Sequence, residues 1–222
     1  MIEALSGALL GFVLGARHAF EPDHLAAVST LTLHVERPGQ GALLGAFWGV
    51  GHTLALLCLG GGLVLAERSM PPWLARLIEI GVALIMIGLG LTALWQAARR
   101  RQPTLPHSYA ARAARSREPQ PPSGRWSWLG RRTLLLGLVH GLGGSGPLMA
   151  LAAAGLKGTT PRVLYMGLFG VGSVAGMALV SGLLGWPAAY LHERPAIGRA
   201  LALLAALASS GIGIIWLGAA LR

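Results

Sequence analysis

Arg17-His18-Ala19-Phe20-Glu21-Pro22-Asp23-His24 places two imidazoles and two carboxylates inside an apolar segment that runs from Ile2 to about Leu33. Ionisable groups at such depth are expensive unless they face a polar cavity or a bound ion. Imidazole nitrogen together with carboxylate oxygen suits Zn, Ni, Co and Cu(II), whereas Mg and Ca prefer oxygen alone, so a transition metal is the expected ion. On an unbroken α-helix Asp23 would sit about 140° and His24 about 120° around the axis from His18, and the three would not converge. Pro22 removes a backbone donor and clashes with the preceding turn, so the helix is expected to break just before Asp23. Unwound backbone in lipid is tolerated only against protein or water, and interrupted helices are where transporters place their ions.

Composition agrees with a chain built for lipid. Of the 222 residues 54% are hydrophobic and only 12% charged, with a mean hydropathy of +0.60, which is more apolar surface than one soluble core buries. The formal net charge of +10 does not point to nucleic acid, because nine of the eighteen basic residues fall in one connecting segment, Arg99 to Arg132. The single cysteine, Cys58, excludes an internal disulfide and a CxxC pair, which argues against a membrane thiol oxidoreductase. No basic leader precedes the first apolar run, so that run is expected to remain in the membrane.

Six apolar stretches are long enough for the roughly twenty helical residues that cross the hydrocarbon, near 2–33, 41–66, 73–98, 133–156, 162–186 and 197–221. The expected fold is an all-α integral membrane protein of six transmembrane helices. Residues 1–98 form a first three-helix unit, 99–132 a basic disordered loop and 133–222 a second three-helix unit. The loop's arginines place it in the cytoplasm and both termini outside. Twelve basic residues then lie on the inner side against five on the outer.

The two units resemble each other. Leu14-Gly15-Ala16-Arg17-His18 aligns with Leu136-Gly137-Leu138-Val139-His140, Phe47 to His52 with Phe169 to Ser173, and Arg76, Gly88 and Gly90 with Arg199, Gly211 and Gly213, at a separation that stays between 121 and 123 residues. Three spans per unit is an odd number, so the second copy enters from the opposite side: a 3+3 inverted-topology repeat, the arrangement that supports alternating access around a central site. Glycines four residues apart (Gly7, Gly11, Gly15; Gly41, Gly45, Gly49; Gly137, Gly141) mark close helix contacts. His18, His52 and His140 each sit three residues beyond such a glycine and are expected to face inward.

His18, Asp23, His24 and His52 are therefore the candidate metal ligands; the plainer alternative is a buried, hydrogen-bonded polar cluster. Arg17 and Glu21 either pair to orient the break or line the access path. His140 is a further candidate as the repeat partner of His18. The Gly-rich run after it lacks the lysine of a phosphate-binding loop, reads as the second unit's own interrupted helix, and brings Ser145 as a minor polar candidate.

His18-Ala19-Phe20-Glu21-Pro22-Asp23-His24, His-x4-Asp-His in form, resembles the signature of the nickel/cobalt transporter family, and Gly51-His52-Thr53 is similar to that family's second motif. The six-span layout and Gly137 to Pro147 look like its short, urease-accessory branch. The resemblance implies a secondary permease, not an enzyme, that moves Ni²⁺ or Co²⁺ as substrate across the bacterial inner membrane. It implies no prosthetic group, and it matches His18, Asp23, His24 and His52 to the family's functional positions. Uptake for a metalloenzyme such as urease is the expected role; a nickel or cobalt exporter and a non-transporting accessory subunit that docks through the Arg-rich loop are the rivals. The expected partners are the metal ion, membrane lipid, and a second copy of the chain or a metallochaperone at the loop, with no nucleic acid.

Overall fold

The computed structural model of the chain describes residues 2–32, 38–66, 70–99, 124–143, 155–190 and 195–222, and among them it is helical without a strand. In chain order the helices are α1 (Ile2–His18), α2 (Pro22–Thr32), α3 (Pro38–Ala55), a π-helical turn (Leu56–Gly61) leading into α4 (Gly62–Leu65), α5 (Pro72–Arg99), α6 (Gly124–Leu142), α7 (Thr159–Tyr190) and α8 (Pro195–Ala220). Among the described residues four helical stretches are long and apolar enough to cross a membrane: Gly39–Gly61, Pro72–Ala98, Thr159–Trp186 and Ala196–Ala220.

The predicted break is present, and its local cause is legible. α1 stops at His18; Phe20 N–H bonds to the Arg17 carbonyl at 2.9 Å and Glu21 N–H to the His18 carbonyl at 3.0 Å, which tightens the last turn before the chain restarts at Pro22. Proline suits the first position of a helix, where its missing N–H leaves no bond unmade. Asp23 then stands in the first turn of α2, at the positive end of that helix. The interruption covers residues 19–21, so His18 ends one helix while Asp23 and His24 begin the next.

One boundary differs from the sequence reading. The fourth predicted span begins at residue 133, whereas α6 starts at Gly124 and takes in Arg125, Arg131 and Arg132. An apolarity window stops at the edge of the hydrocarbon, while a helix continues past it as long as its backbone bonds are satisfied within the helix. Gly130, in this additional stretch, lies against the Phe47 ring of α3.

α7 occupies the centre, packed against α1 on one side and α3 on the other; α6 lies against α3, α5 pairs with α8, and α2 leans on α8 and α7. The glycine stripes lie at these crossings. A Cβ on Gly15 would overlap the Phe169 carbonyl, and one on Gly137 the Trp48 carbonyl, so both helix pairs approach to backbone contact. Ser209 donates to the Met86 carbonyl at 2.9 Å between α8 and α5, and Thr53 to the Gly170 carbonyl at 3.2 Å between α3 and α7. Outward faces carry Leu9, Leu84, Leu91, Leu183, Ile214 and Ile215. Ile215 is 70% exposed, an arrangement suited to a hydrocarbon solvent and unfavourable in water.

Candidate metal centre

Four histidines and one aspartate converge where the α1–α2 break meets α3 and α6. His18 closes α1, Asp23 and His24 open α2, His52 lies late in α3 and His140 late in α6. All five are buried, none more than 3% exposed. The break solves the angular problem of the continuous helix, because His18 and the Asp23–His24 pair are carried by two helices with separate axes.

Contacts within the cluster are short. His18 Nε2 lies 3.0 Å from His52 Nε2; Asp23 accepts from His24 Nδ1 at 3.0 Å through Oδ1 and from His140 Nε2 at 3.1 Å through Oδ2. His24 is the central ring, with centroids 4.2 Å from His18, 4.9 Å from His52 and 4.7 Å from His140. Glu21, half-exposed in the break, lies with Oε1 2.9 Å from His18 Nδ1. A carboxylate at this distance from one ring nitrogen orients the imidazole with its other nitrogen, here Nε2, toward the cluster.

Two further nitrogens, His24 Nε2 and His52 Nδ1, are buried and have no hydrogen-bond partner. An unpaired buried polar atom costs roughly 1–3 kcal/mol, and apolar packing would not retain two of them in one place. Donor atoms of His18, His24 and His52 all lie within 4.8 Å of one another, as do those of Asp23, His24 and His140. Imidazole-rich donors with one carboxylate fit a borderline transition-metal ion and fit Mg²⁺ or Ca²⁺ poorly.

The candidates from the sequence fare differently. His18, Asp23, His24 and His52 come together, and His140 joins them through Asp23. Glu21 reaches His18, whereas Arg17 is exposed; Ser145 lies outside the described residues. Two aromatic walls, Trp48 and Phe169, lie in the aligned repeat segments but carry no site signal in the sequence. The Trp48 ring lies 5.3 Å from His24 and 5.5 Å from His140, and Phe169 lies 5.8 Å from His18. Trp48 stands one turn before His52 in the middle of α3, unlike Trp73, Trp95 and Trp186, which are exposed at helix ends.

Residues 4–215 match the family described as "High-affinity nickel-transport protein". The chain belongs to that family. It is a family of membrane transporters rather than of enzymes, and nickel is the ion its description prints. Among curated relatives, the urease accessory protein UreH of Bacillus sp. (strain TB-90) is 29% identical over 216 residues, covering 96% of this chain and 91% of that protein. The chloroplast proteins FOR GROWTH AND FERTILITY 1 and 2 of Arabidopsis thaliana are 26% and 27% identical, with this chain spanning 58% and 56% of their lengths. No solved structure matches.

Proposed function

We propose that this chain is a secondary permease that carries Ni²⁺, with Co²⁺ as the alternative cation, inward across the plasma membrane of a bacterium, and that His18, Asp23, His24 and His52 hold the ion in transit. The buried cluster at the helix break carries this reading. Four imidazoles and a carboxylate in a water-poor interior, two of their nitrogens without a protein partner, have the chemistry of a site that exchanges water ligands for protein ligands. The urease-accessory name of the Bacillus relative supports supply of a nickel enzyme as the purpose of uptake.

A 3+3 inverted repeat accounts for how the helices pair. Gly51 of α3 packs on Leu134 and Leu138 of α6, and Gly172 of α7 packs in the same way on Phe12 and Ala16 of α1, each position 121 or 122 residues from its counterpart. In the α5–α8 pair Gly90 meets Ala206 and Ser210 while Gly213 meets Ala83 and Ile87, again related by a constant separation, 123 residues. Such equivalence supports six spans, with α1 and α2 together forming the first and α6 opening the fourth. Two related halves can rock about a fixed central site. The basic segment around residues 99–132 orients the protein with that segment in the cytoplasm and its termini outside.

The test is radiolabelled nickel accumulation in cells that express the wild type or Asp23→Ala, with cobalt and zinc as competitors. Accumulation above the empty vector, lost in the variant, is the expected result. Accumulation below the vector would replace import by export. No difference from the vector would overturn the permease reading.

A further inference from the structure

The geometry points to two overlapping binding stations rather than one, with His24 common to both: His18, His24 and His52 form the first, Asp23, His24 and His140 the second. This rests on the permease reading and adds a path to it. Each set keeps its three donor atoms within 4.8 Å, and His24 is the sole residue in both. The two nitrogens of that ring are placed differently. Nδ1 faces Asp23 at 3.0 Å, on the His140 side, while Nε2 has no partner, and its ring lies against both His18 and His52. His52 and His140 are more separated, with centroids 6.1 Å apart, so His24 fills the interval between the sets.

The sequence places the stations in relation to the repeat. His18 and His140 are counterparts 122 residues apart, one in each half, so the first station draws on the end of α1 and the second on the end of α6. A substrate ion entering beside the half-exposed Glu21, which contacts His18, meets the first station at His24 Nε2; exchange of His18 and His52 for Asp23 and His140 takes it to the Nδ1 side of the same ring, the Nδ1 proton passing to Nε2 as the ion leaves that nitrogen. Two divalent ions at such separation repel strongly, and one carboxylate among the five ligands does not offset them, so the stations take one ion at a time.

Equilibrium binding needs either station, whereas transport needs both, and that difference is the test. Protein purified in detergent is titrated with Co²⁺, whose visible d–d absorption reports its ligands, and the same variants are assayed for radiolabelled nickel uptake. Wild type should bind one Co²⁺ and transport; failure of wild type on both counts would overturn the permease reading itself. His24→Gln should lose binding and transport. His52→Gln and His140→Gln should each still bind one Co²⁺, weakened no more than about tenfold and with spectra that differ from each other, while nickel uptake falls at least tenfold in both. Loss of binding in both single variants as deep as in His24→Gln would show one undivided site and overturn the relay. Wild-type uptake in His140→Gln would do so as well. Should His140→Gln elute as aggregate on size exclusion, His140→Asp replaces it: an oxygen donor there should retain uptake above that of His24→Gln, and uptake no higher than that variant's would reject the second station.

Discussion

Replacing Asp23 by asparagine keeps the side chain's size and removes its charge, and the structure sets the size of the consequence. Asp23 accepts from His24 and His140 at 3.0 and 3.1 Å, and it is the only carboxylate within the two donor sets. A unit charge pair about 4 Å apart is worth about 4 kcal/mol at an effective dielectric constant near 20, so a divalent ion gains about 8 kcal/mol before desolvation is subtracted. Hydrogen bonds to a charged group add about 1.5–3 kcal/mol each, and an asparagine oxygen recovers only part of this. Allowing desolvation to cancel more than half of the total, a net loss of at least about 3 kcal/mol remains, or about 100-fold in affinity, because the carboxylate charge beside the shared His24 attracts an ion in either donor set, unlike the loss of one neutral imidazole. Optical titration of purified wild type and Asp23→Asn with Co²⁺ at fixed pH measures it directly. An affinity within threefold of wild type, in a variant that elutes as wild type does, would refute the assignment of Asp23 to the ion.

Further expectations follow from the same contacts. Glu21→Gln loses the charged partner of His18 without removing a donor atom, so nickel uptake should need about 10- to 100-fold more metal for half-maximal rate while thermal stability in detergent is unchanged; a wild-type dose curve would reject Glu21 as the group that orients His18. Because an imidazole must be neutral to hold a metal, protons compete with the ion. Co²⁺ affinity should therefore fall on acidification, and an affinity that stays constant down to the pH at which the protein aggregates would contradict imidazole ligation. Gly137→Val places a side chain on the Trp48 carbonyl and should destabilise the α3–α6 contact by about 1–3 kcal/mol, read as a lower aggregation temperature on size exclusion, with no change expected from Gly88→Val, which faces open space. Deleting residues 102–122 leaves α6 intact from Gly124 and should preserve nickel uptake; its loss would favour a chain that acts through that segment.

Much of the site could be read from one dimension because its defining features are local. Pro22 five residues before Ala27 and four after His18 announces an interrupted helix wherever the flanking sequence is apolar, and the glycine stripes point His18, His52 and His140 inward. The partner of His140 was not legible, since no acid follows it and Asp23 lies 117 residues away in the chain; only the α6–α3 and α2 packing brings them together. Trp48 gives no site signal in the sequence for a related reason. A tryptophan in the middle of an apolar helix has no periodic signature of its own, and its role appears only when His24 and His140 arrive from other helices. The π-helical turn at Leu56–Gly61, one turn beyond His52, likewise has no sequence signal beyond the adjacent glycines Gly60 to Gly62. Such turns are frequent near functional sites because the additional residue re-aims the side chains around it. α6 starts upstream of the apolar edge at residue 133 because apolarity marks where lipid begins and not where a helix does.

Movement of a divalent transition metal through the buried histidine cluster should need this chain alone. Its most direct test is metal entry into liposomes reconstituted with the purified protein and loaded with a dye that Ni²⁺ quenches. Wild-type vesicles should quench with a saturable rate well above protein-free vesicles, and His24→Gln vesicles should match the protein-free ones. Quenching in wild-type vesicles no faster than in protein-free controls would contradict transport, and equal rates in wild type and His24→Gln would contradict the cluster as its path.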